Sequence, residues 1–191
     1  MSANTLVNLV ADLAAGRIRI VDLTQTLSPD FPPIVLPPEL GQAWPFRIEE
    51  ISRYDDRGGN SYWNNFSCSE HTGTHFDAPI HWISGRDLPN NATDSIPVEN
   101  FVGPAAVIDC SQETAANSDF LLTVDFVKRW EASHGEIPRR AWVLMRTDWS
   151  KRVSDPVAYQ NLDETGQHSP GPDEAVVQFL VRERDVIGLG T

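Results

Sequence analysis

The segment HTGTHFDAPIH, residues 71–81, holds three of the chain's five histidines and one aspartate. A helix is unfavourable here, because Gly73 has low helix propensity and Pro79 lacks the amide proton that a helix interior needs. Extended backbone is therefore predicted, and in a strand alternate side chains face the same side. Four side chains that can bind metals share one parity: His71, His75, Asp77 and His81.

A straight strand would spread these four side chains over about 33 Å, whereas ligand atoms lie about 2.1 Å from a metal ion. The backbone must therefore bend, and Gly73 and Pro79 are the residues that allow bends. With those bends, His71, His75 and Asp77 form a set of nitrogen and oxygen ligands suited to Zn²⁺ or Mn²⁺, with positions left open for water and substrate.

The remaining histidines and both cysteines are predicted to have no part in the metal site. His134 at a helix end and His168 in a loop are predicted to be structural or surface residues. Cys68 and Cys110 are too few for a disulfide framework and form no CxxC pair, which is typical of a protein in the reducing cytoplasm.

The net charge of the chain limits which macromolecules it can bind. The chain has 191 residues, enough for one domain with a buried core, and carries 15 Lys and Arg against 27 Asp and Glu. The resulting formal net charge of -12 repels phosphate backbones and anionic lipid headgroups. Nucleic acid and membrane surfaces are therefore excluded as expected partners.

Hydrophobic periodicity predicts one α/β domain with an N-terminal helical extension over residues 1–16. Residues 17–23 alternate like a strand, and six prolines between residues 28 and 46 predict a stiff, extended loop of the kind that forms lids or linkers. The other predicted strands and turns are a strand at 46–54, a turn at 55–60, and strands at 105–110 and 142–145.

The last third of the chain alternates strand and helix. Thr123 is predicted to cap a helix that runs to about Ser133, and residues 151–171 are predicted to be a polar loop. A further helix is expected to begin near Pro172. The chain ends in the strand-like sequence DVIGLGT, from which we expect the domain, residues 1–191, to lack a C-terminal segment.

The motif HxGTHxDxPxH, present as residues 71–81, resembles the signature of the metal-dependent cyclase family, which includes bacterial kynurenine formamidases and isatin hydrolases. Further landmarks of that family recur in the same order, and the resemblance covers nearly the whole chain. They are VDLTQTL (21–27), the proline-rich loop, FVGPAAVIDC (101–110), LMRTDW (144–149) and PGPDEAVVQFL followed by VIGLGT.

The resemblance implies a swivelling β/β/α domain and assigns roles by position. It implies that His71, His75 and Asp77 ligate the metal, and that His81 is either a second ligand or the catalytic base. Family members are usually longer, and their C-terminal part supplies further site residues. One of these is a glutamate that this sequence does not contain at a matching position, so the resemblance does not extend to a second metal site.

A divalent metal activates water and polarises carbonyl oxygens, which serves hydrolysis of an amide. His81 could be the general base, because histidine is the side chain that most often has this role. Aromatic side chains near the motif suit a planar aryl substrate, although a core role fits them equally: Trp63, Phe76 and Trp82. The helical extension and SEHTGTHFDAPIHW favour isatin hydrolysis to isatinate by metal-activated water. Hydrolysis of N-formylkynurenine and a non-catalytic metal-binding protein are the alternatives, and the family commonly forms dimers.

Overall fold

The computed structural model describes residues 3–57, 59–83 and 88–191, and its architecture is mixed α/β, as predicted. The predicted helical extension at 1–16 and the predicted turn at 55–60 each include residues outside these ranges. The helices are α1 (Ala3–Ala14), α2 (Ser111–Ala116), α3 (Val124–His134), α4 (Pro156–Gln160) and α5 (Glu174–Arg184). Short 3-10 turns lie at Pro38–Leu40, Pro79–His81, Val98–Phe101 and Trp149–Arg152.

The strands form one three-stranded sheet and three two-stranded pairs among the described residues. They are β1 (Arg47–Ser52), β2 (Trp63–Ser67), β3 (Ala105–Asp109), β4 (Leu121–Leu122), β5 (Trp142–Arg146), β6 (Leu162–Asp163), β7 (Gly166–Gln167), β8 (Gly171–Pro172) and β9 (Gly188–Gly190). In the larger sheet, β5 lies between β3 and β9 and runs parallel to both. In the pairs, β1 with β2 and β6 with β7 are antiparallel, and β4 with β8 is parallel.

Helices α3 and α5 cover one face of the three-stranded sheet and form the core with it. Alternate residues of β3 and β5 point into this core, including Ile108 and Val143, and meet Val127 of α3 and Leu180 of α5. The opposite face of the sheet carries Trp142 and Leu144 on β5, and Val107 on β3 is half exposed there. The candidate site lies against this second face.

Helices α3 and α5 begin where they were predicted to begin, at the predicted cap Thr123 and close to Pro172. The Thr123 hydroxyl accepts the Phe126 N–H at the start of α3, and the Asp173 carboxylate accepts the Val176 N–H at the start of α5. Each contact satisfies a backbone donor that the first turn of a helix leaves free. The predicted strands at 105–110 and 142–145 are also confirmed, because β3 and β5 form there.

The predicted strand at 17–23 is wrong. Helix α1 ends as expected before Gly16, whose φ is +69°, but residues 17–23 do not pair with any strand that the structure describes. Ile20 is 81% exposed and Leu23 is 78% exposed. Alternation of apolar residues is therefore insufficient here, because a strand needs a partner ladder to satisfy its backbone donors and acceptors.

The segment 151–171, predicted to be a polar loop, contains α4 and the hairpin of β6 and β7 instead. The Asp155 carboxylate accepts the N–H groups of Val157 and Ala158, and Pro156 occupies the first helical position, where its missing N–H costs nothing. This capping signal was present in the sequence and outweighs the polar composition. Among the described residues, no helix has the length and apolar character to cross a membrane.

Candidate metal centre

The histidine-rich segment is bent at Gly73, as predicted, and forms no strand ladder. Gly73 has φ +72°, a region that residues with a Cβ rarely adopt. A Cβ placed on Gly73 would lie 2.5 Å from Leu27 Cδ2, so this position is restricted by packing as well as by backbone conformation. The turn directs His71 back toward the residues that follow it.

A second change of direction begins at Pro79, the first residue of a 3-10 turn that ends at His81. The Ile80 N–H donates to the Asn91 carbonyl oxygen at 3.0 Å, and Ala78, which precedes the turn, is buried. These contacts anchor the end of the segment and bring the His81 ring to 4.4 Å from the His71 ring, measured between centroids.

Three polar atoms converge between the two bends. His71 Nδ1 lies 2.9 Å from Asp77 Oδ1 and 3.4 Å from His75 Nε2, and His75 Nε2 lies 3.5 Å from Asp77 Oδ1. All three side chains are about one-third exposed or less, at 26% for His71, 31% for His75 and 34% for Asp77. We call these three residues the triad.

His75 has its tautomer set by the backbone. Its Nδ1 lies 2.7 Å from the Gly73 carbonyl oxygen, which can only accept a hydrogen bond, so Nδ1 carries the proton. The lone pair of Nε2 is then directed at His71 and Asp77. A histidine that donates one ring N–H to a backbone carbonyl in this way is typical of metal sites.

The triad fits a divalent metal. Ligand atoms at about 2.1 Å from one tetrahedral Zn²⁺ are themselves about 3.4 Å apart, and the three separations in the triad run from 2.9 to 3.5 Å. A second group of candidate ligand atoms, from His71, Asp77 and His81, also lies within 4.8 Å of one another. The two groups share His71 and Asp77, so His81 lies at the edge of the same site.

The three aromatic residues predicted to contact a substrate differ in their exposure and in the rings they contact. Trp82 is 78% exposed and its ring lies 4.6 Å from the His81 ring, whereas Trp63, at the start of β2, is 54% exposed. Phe76 is 38% exposed and packs edge-on against Phe101 and Trp142. Only Trp82, among these three, has a ring contact with a histidine of the segment in the described structure.

Residues 25–31, which lead into the proline-rich loop, pack on the turn at Gly73. The Gln25 N–H donates to Thr74 Oγ1 at 3.0 Å, and Leu27 and the buried Phe31 lie over Gly73. Sequence reasoning missed this contribution, because nothing in the local pattern pairs Leu27 or Phe31 with a residue more than forty positions away. The one local signal was the glycine at position 73, which is consistent with close packing of another segment against the turn.

The histidines outside the segment make structural contacts, as predicted. His134 ends α3, where Nδ1 lies 2.8 Å from the Trp130 carbonyl oxygen. His168 lies between two carboxylates, with Nδ1 2.8 Å from Asp119 and Nε2 3.1 Å from Asp163. The Asp119 contact, with a smaller contribution from Asp163, raises the pKa of His168. Both cysteines are free, and burial raises the pKa of the Cys110 thiol to about 11.

Comparison with known proteins shows which family this chain resembles. The isatin hydrolase of Roseibium aggregatum is 47% identical over 193 residues, a match that covers 100% of this chain and 73% of that protein. The structure of isatin hydrolase A from Ralstonia solanacearum is 59% identical with a TM-score of 0.92, over 96% of this chain and 70% of that one.

A third similar protein is an isatin hydrolase solved with the product analogue thioisatinate. It is 46% identical with a TM-score of 0.92, over 99% of this chain and 72% of that one. The sequence model of the Cyclase family, described as "Putative cyclase", matches residues 21–191. The chain therefore belongs to the cyclase family and has the α/β fold of that family.

Proposed function

We propose that this protein is a metal-dependent amidohydrolase that opens the cyclic amide of isatin to give isatinate. The observation that carries the proposal is the triad, whose three ligand atoms have the mutual spacing that one divalent ion requires. Similarity to isatin hydrolases over the full chain identifies the substrate class, which is a small aromatic amide.

In this proposal His71, His75 and Asp77 hold Zn²⁺ or Mn²⁺. The mixed set of imidazole nitrogen and carboxylate oxygen suits either ion, and three protein ligands leave further positions for small molecules. When bound, such an ion lowers the pKa of water toward neutrality and polarises a carbonyl oxygen. The protonated Nδ1 of His75 keeps its Nε2 available as a ligand.

His81 is proposed to act as the general base. Its ring is exposed and lies beside His71, so it can reach a water molecule at the edge of the triad. His81 takes a proton from the attacking water and delivers it to the amide nitrogen as the C–N bond breaks. The carbonyl carbon gains the hydroxyl group, which gives a carboxylic acid and an aryl amine on one molecule, and the acid then loses its proton to solvent to become a carboxylate.

The rings of Trp63, Phe76 and Trp82 are proposed to contact the planar substrate. Each keeps part of its surface exposed, and Trp82 adjoins His81. Flat aromatic surfaces beside a polar centre suit an aryl amide, because stacking orients the ring while polar groups act on the carbonyl.

The proposal is tested with purified protein whose metal content is measured before kinetics. Isatin and N-formylkynurenine are offered as substrates, before and after dialysis against a chelator and after return of Zn²⁺ or Mn²⁺. We expect isatin turnover that disappears with the metal and returns with it. Preference for N-formylkynurenine would identify a formamidase instead, and bound metal without turnover of either compound would identify a non-catalytic metal-binding protein.

We also propose that the protein functions in the cytoplasm as a homodimer. Its two free cysteines agree with a reducing compartment. Exposed apolar side chains on α1 and the following segment, among them Val10 and Ile20, provide a surface that association could cover. Light scattering on the purified protein should give twice the 21.3 kDa chain mass, and a monomer at all concentrations would contradict the homodimer.

A further inference from the structure

Residues 75–78 contain two members of the triad but belong to no helix or strand. No backbone ladder holds them, so between the bend at Gly73 and the turn at Pro79 their position depends on side-chain contacts. Phe76 lies between His75 and Asp77, so its contacts bear directly on both ligands. Its ring centroid is 5.0 Å from that of Phe101, with an interplanar angle of 81°, and 6.2 Å from that of Trp142, with an angle of 74°. Both are favourable edge-to-face arrangements.

Trp142 is itself held rigidly. It is the first residue of β5, the central strand of the sheet, and its side chain lies on the face opposite the core. The indole Nε1–H donates to the Asn100 carbonyl oxygen at 3.0 Å. Asn100 and Phe101 belong to the same 3-10 turn, so one turn fixes the indole and also contacts Phe76.

Gly188 leaves room for the Trp142 ring, and Gly103 lies at its edge. On the neighbouring strand β9, a Cβ added to Gly188 would collide with the indole, which therefore rests directly on the β9 backbone. A Cβ on Gly103 would touch Trp142 Cδ1 at 3.7 Å, an ordinary van der Waals distance, and would clash with the Arg140 carbonyl oxygen at 2.7 Å instead. The β9 backbone therefore packs against one side of the ring. Because the ring is held in place, its contact with Phe76 restricts where the Phe76 side chain can lie.

We infer that Trp142 is a positioning residue for the metal centre, acting through Phe76 on His75 and Asp77. This inference rests on the proposed triad of metal ligands. The partners that orient metal ligands without touching the ion contribute on the order of 10- to 100-fold to metal affinity. Removing the indole should therefore weaken metal binding by a factor in that range, with the ligands themselves unchanged.

The first test measures the dissociation constants of Zn²⁺ and of Mn²⁺ for the full chain by competition with a chromophoric chelator. Trp142→Ala is expected to bind each ion at least tenfold more weakly than wild type. Trp142→Phe, which keeps an aromatic edge for Phe76, should recover part of that loss. The matched control is Leu144→Ala, on the same face of the same strand, which should lower thermal stability but leave affinity within about threefold of wild type.

The second test asks whether the effect passes through Phe76. If it does, Phe76→Ala should also weaken binding, and the double variant Trp142→Ala with Phe76→Ala should bind no more weakly than Phe76→Ala alone. If Trp142→Ala does not fold, Phe76→Leu replaces it, because it removes the ring contact with Trp142 at a partly exposed position. It should also weaken metal binding.

The outcomes separate this inference from the function proposed above. A wild-type protein that binds neither ion would overturn both. A wild-type protein that binds metal, with Trp142→Ala within threefold of it or with additive losses in the double variant, would overturn the positioning role alone.

Discussion

The Arg184 guanidinium forms a two-point ion pair with the Glu131 carboxylate, with Nε 2.7 Å from Oε1 and Nη2 3.0 Å from Oε2. The pair joins the end of α5 to α3, the two helices that cover the sheet. Only 15% of the arginine side chain and 9% of the glutamate side chain are exposed. Glu131 Oε1 also accepts the Ile137 N–H, so one carboxylate holds both the neighbouring helix and the chain that leaves α3.

Arg184→Met should lower the free energy of unfolding by about 2 kcal/mol, because it leaves the Glu131 carboxylate without its charged partner. Urea denaturation measures the change, and Arg182→Met, at an exposed position of the same helix, is the control. The Arg184 contact lowers the pKa of Glu131, so its contribution is present above the ordinary value and is lost as pH falls through the lowered pKa. A loss at pH 7 that matches the control would contradict this assignment.

His168→Gln should reduce stability more at pH 6 than at pH 9. Hydrogen bonds to Asp119 and Asp163 raise the pKa of His168 above 6.5, so the protonated ring stabilises the fold below that value. The contribution disappears as pH rises through the folded pKa. The difference in urea midpoint between wild type and variant, measured at both pH values, checks the prediction. In the Asp119→Asn background, the effect of His168→Gln should depend less on pH. If His168→Gln shifts the urea midpoint equally at pH 6 and pH 9, the prediction is wrong.

Gly73→Ala should destabilise the protein by about 1–3 kcal/mol, because alanine is strained at φ +72° and its methyl group meets Leu27. Gly16 has a similar φ of +69° but no atom within 4 Å of an added Cβ, so Gly16→Ala isolates the backbone cost of about 1 kcal/mol. Thermal or urea unfolding of both variants gives the comparison. Equal losses would show that Leu27 does not restrict the turn.

His81→Ala should retain most of the bound metal but lose about 10² to 10⁴ in kcat, the usual contribution of a positioned acid–base group. Metal analysis and steady-state kinetics with isatin are measured on the same preparation. His134→Ala, at the end of α3, should leave both quantities unchanged and is the histidine control. Loss of metal together with activity would make His81 a ligand, and near-normal turnover would remove it from catalysis.

Local sequence was sufficient wherever the determining interaction is local. The Thr123 cap, the start of a helix near Pro172, the buried strands β3 and β5, and the bend at Gly73 could all be predicted, because each depends on residues a few positions apart. The spacing of the histidines and aspartate also singled out the candidate ligands. Residues 17–23 show the limit of this reasoning, since strand-like alternation cannot tell whether a partner strand exists.

The amino-acid sequence by itself determined which residues can bind a metal and that their backbone must turn between them. Only the tertiary structure decided how that turn is held. Phe31 reaches Gly73 and Trp142 reaches Phe76 across long stretches of chain, and glycine at position 188 leaves space for the indole. Such contacts follow from packing, which depends on the arrangement of distant segments in space and has no periodic signature along the chain.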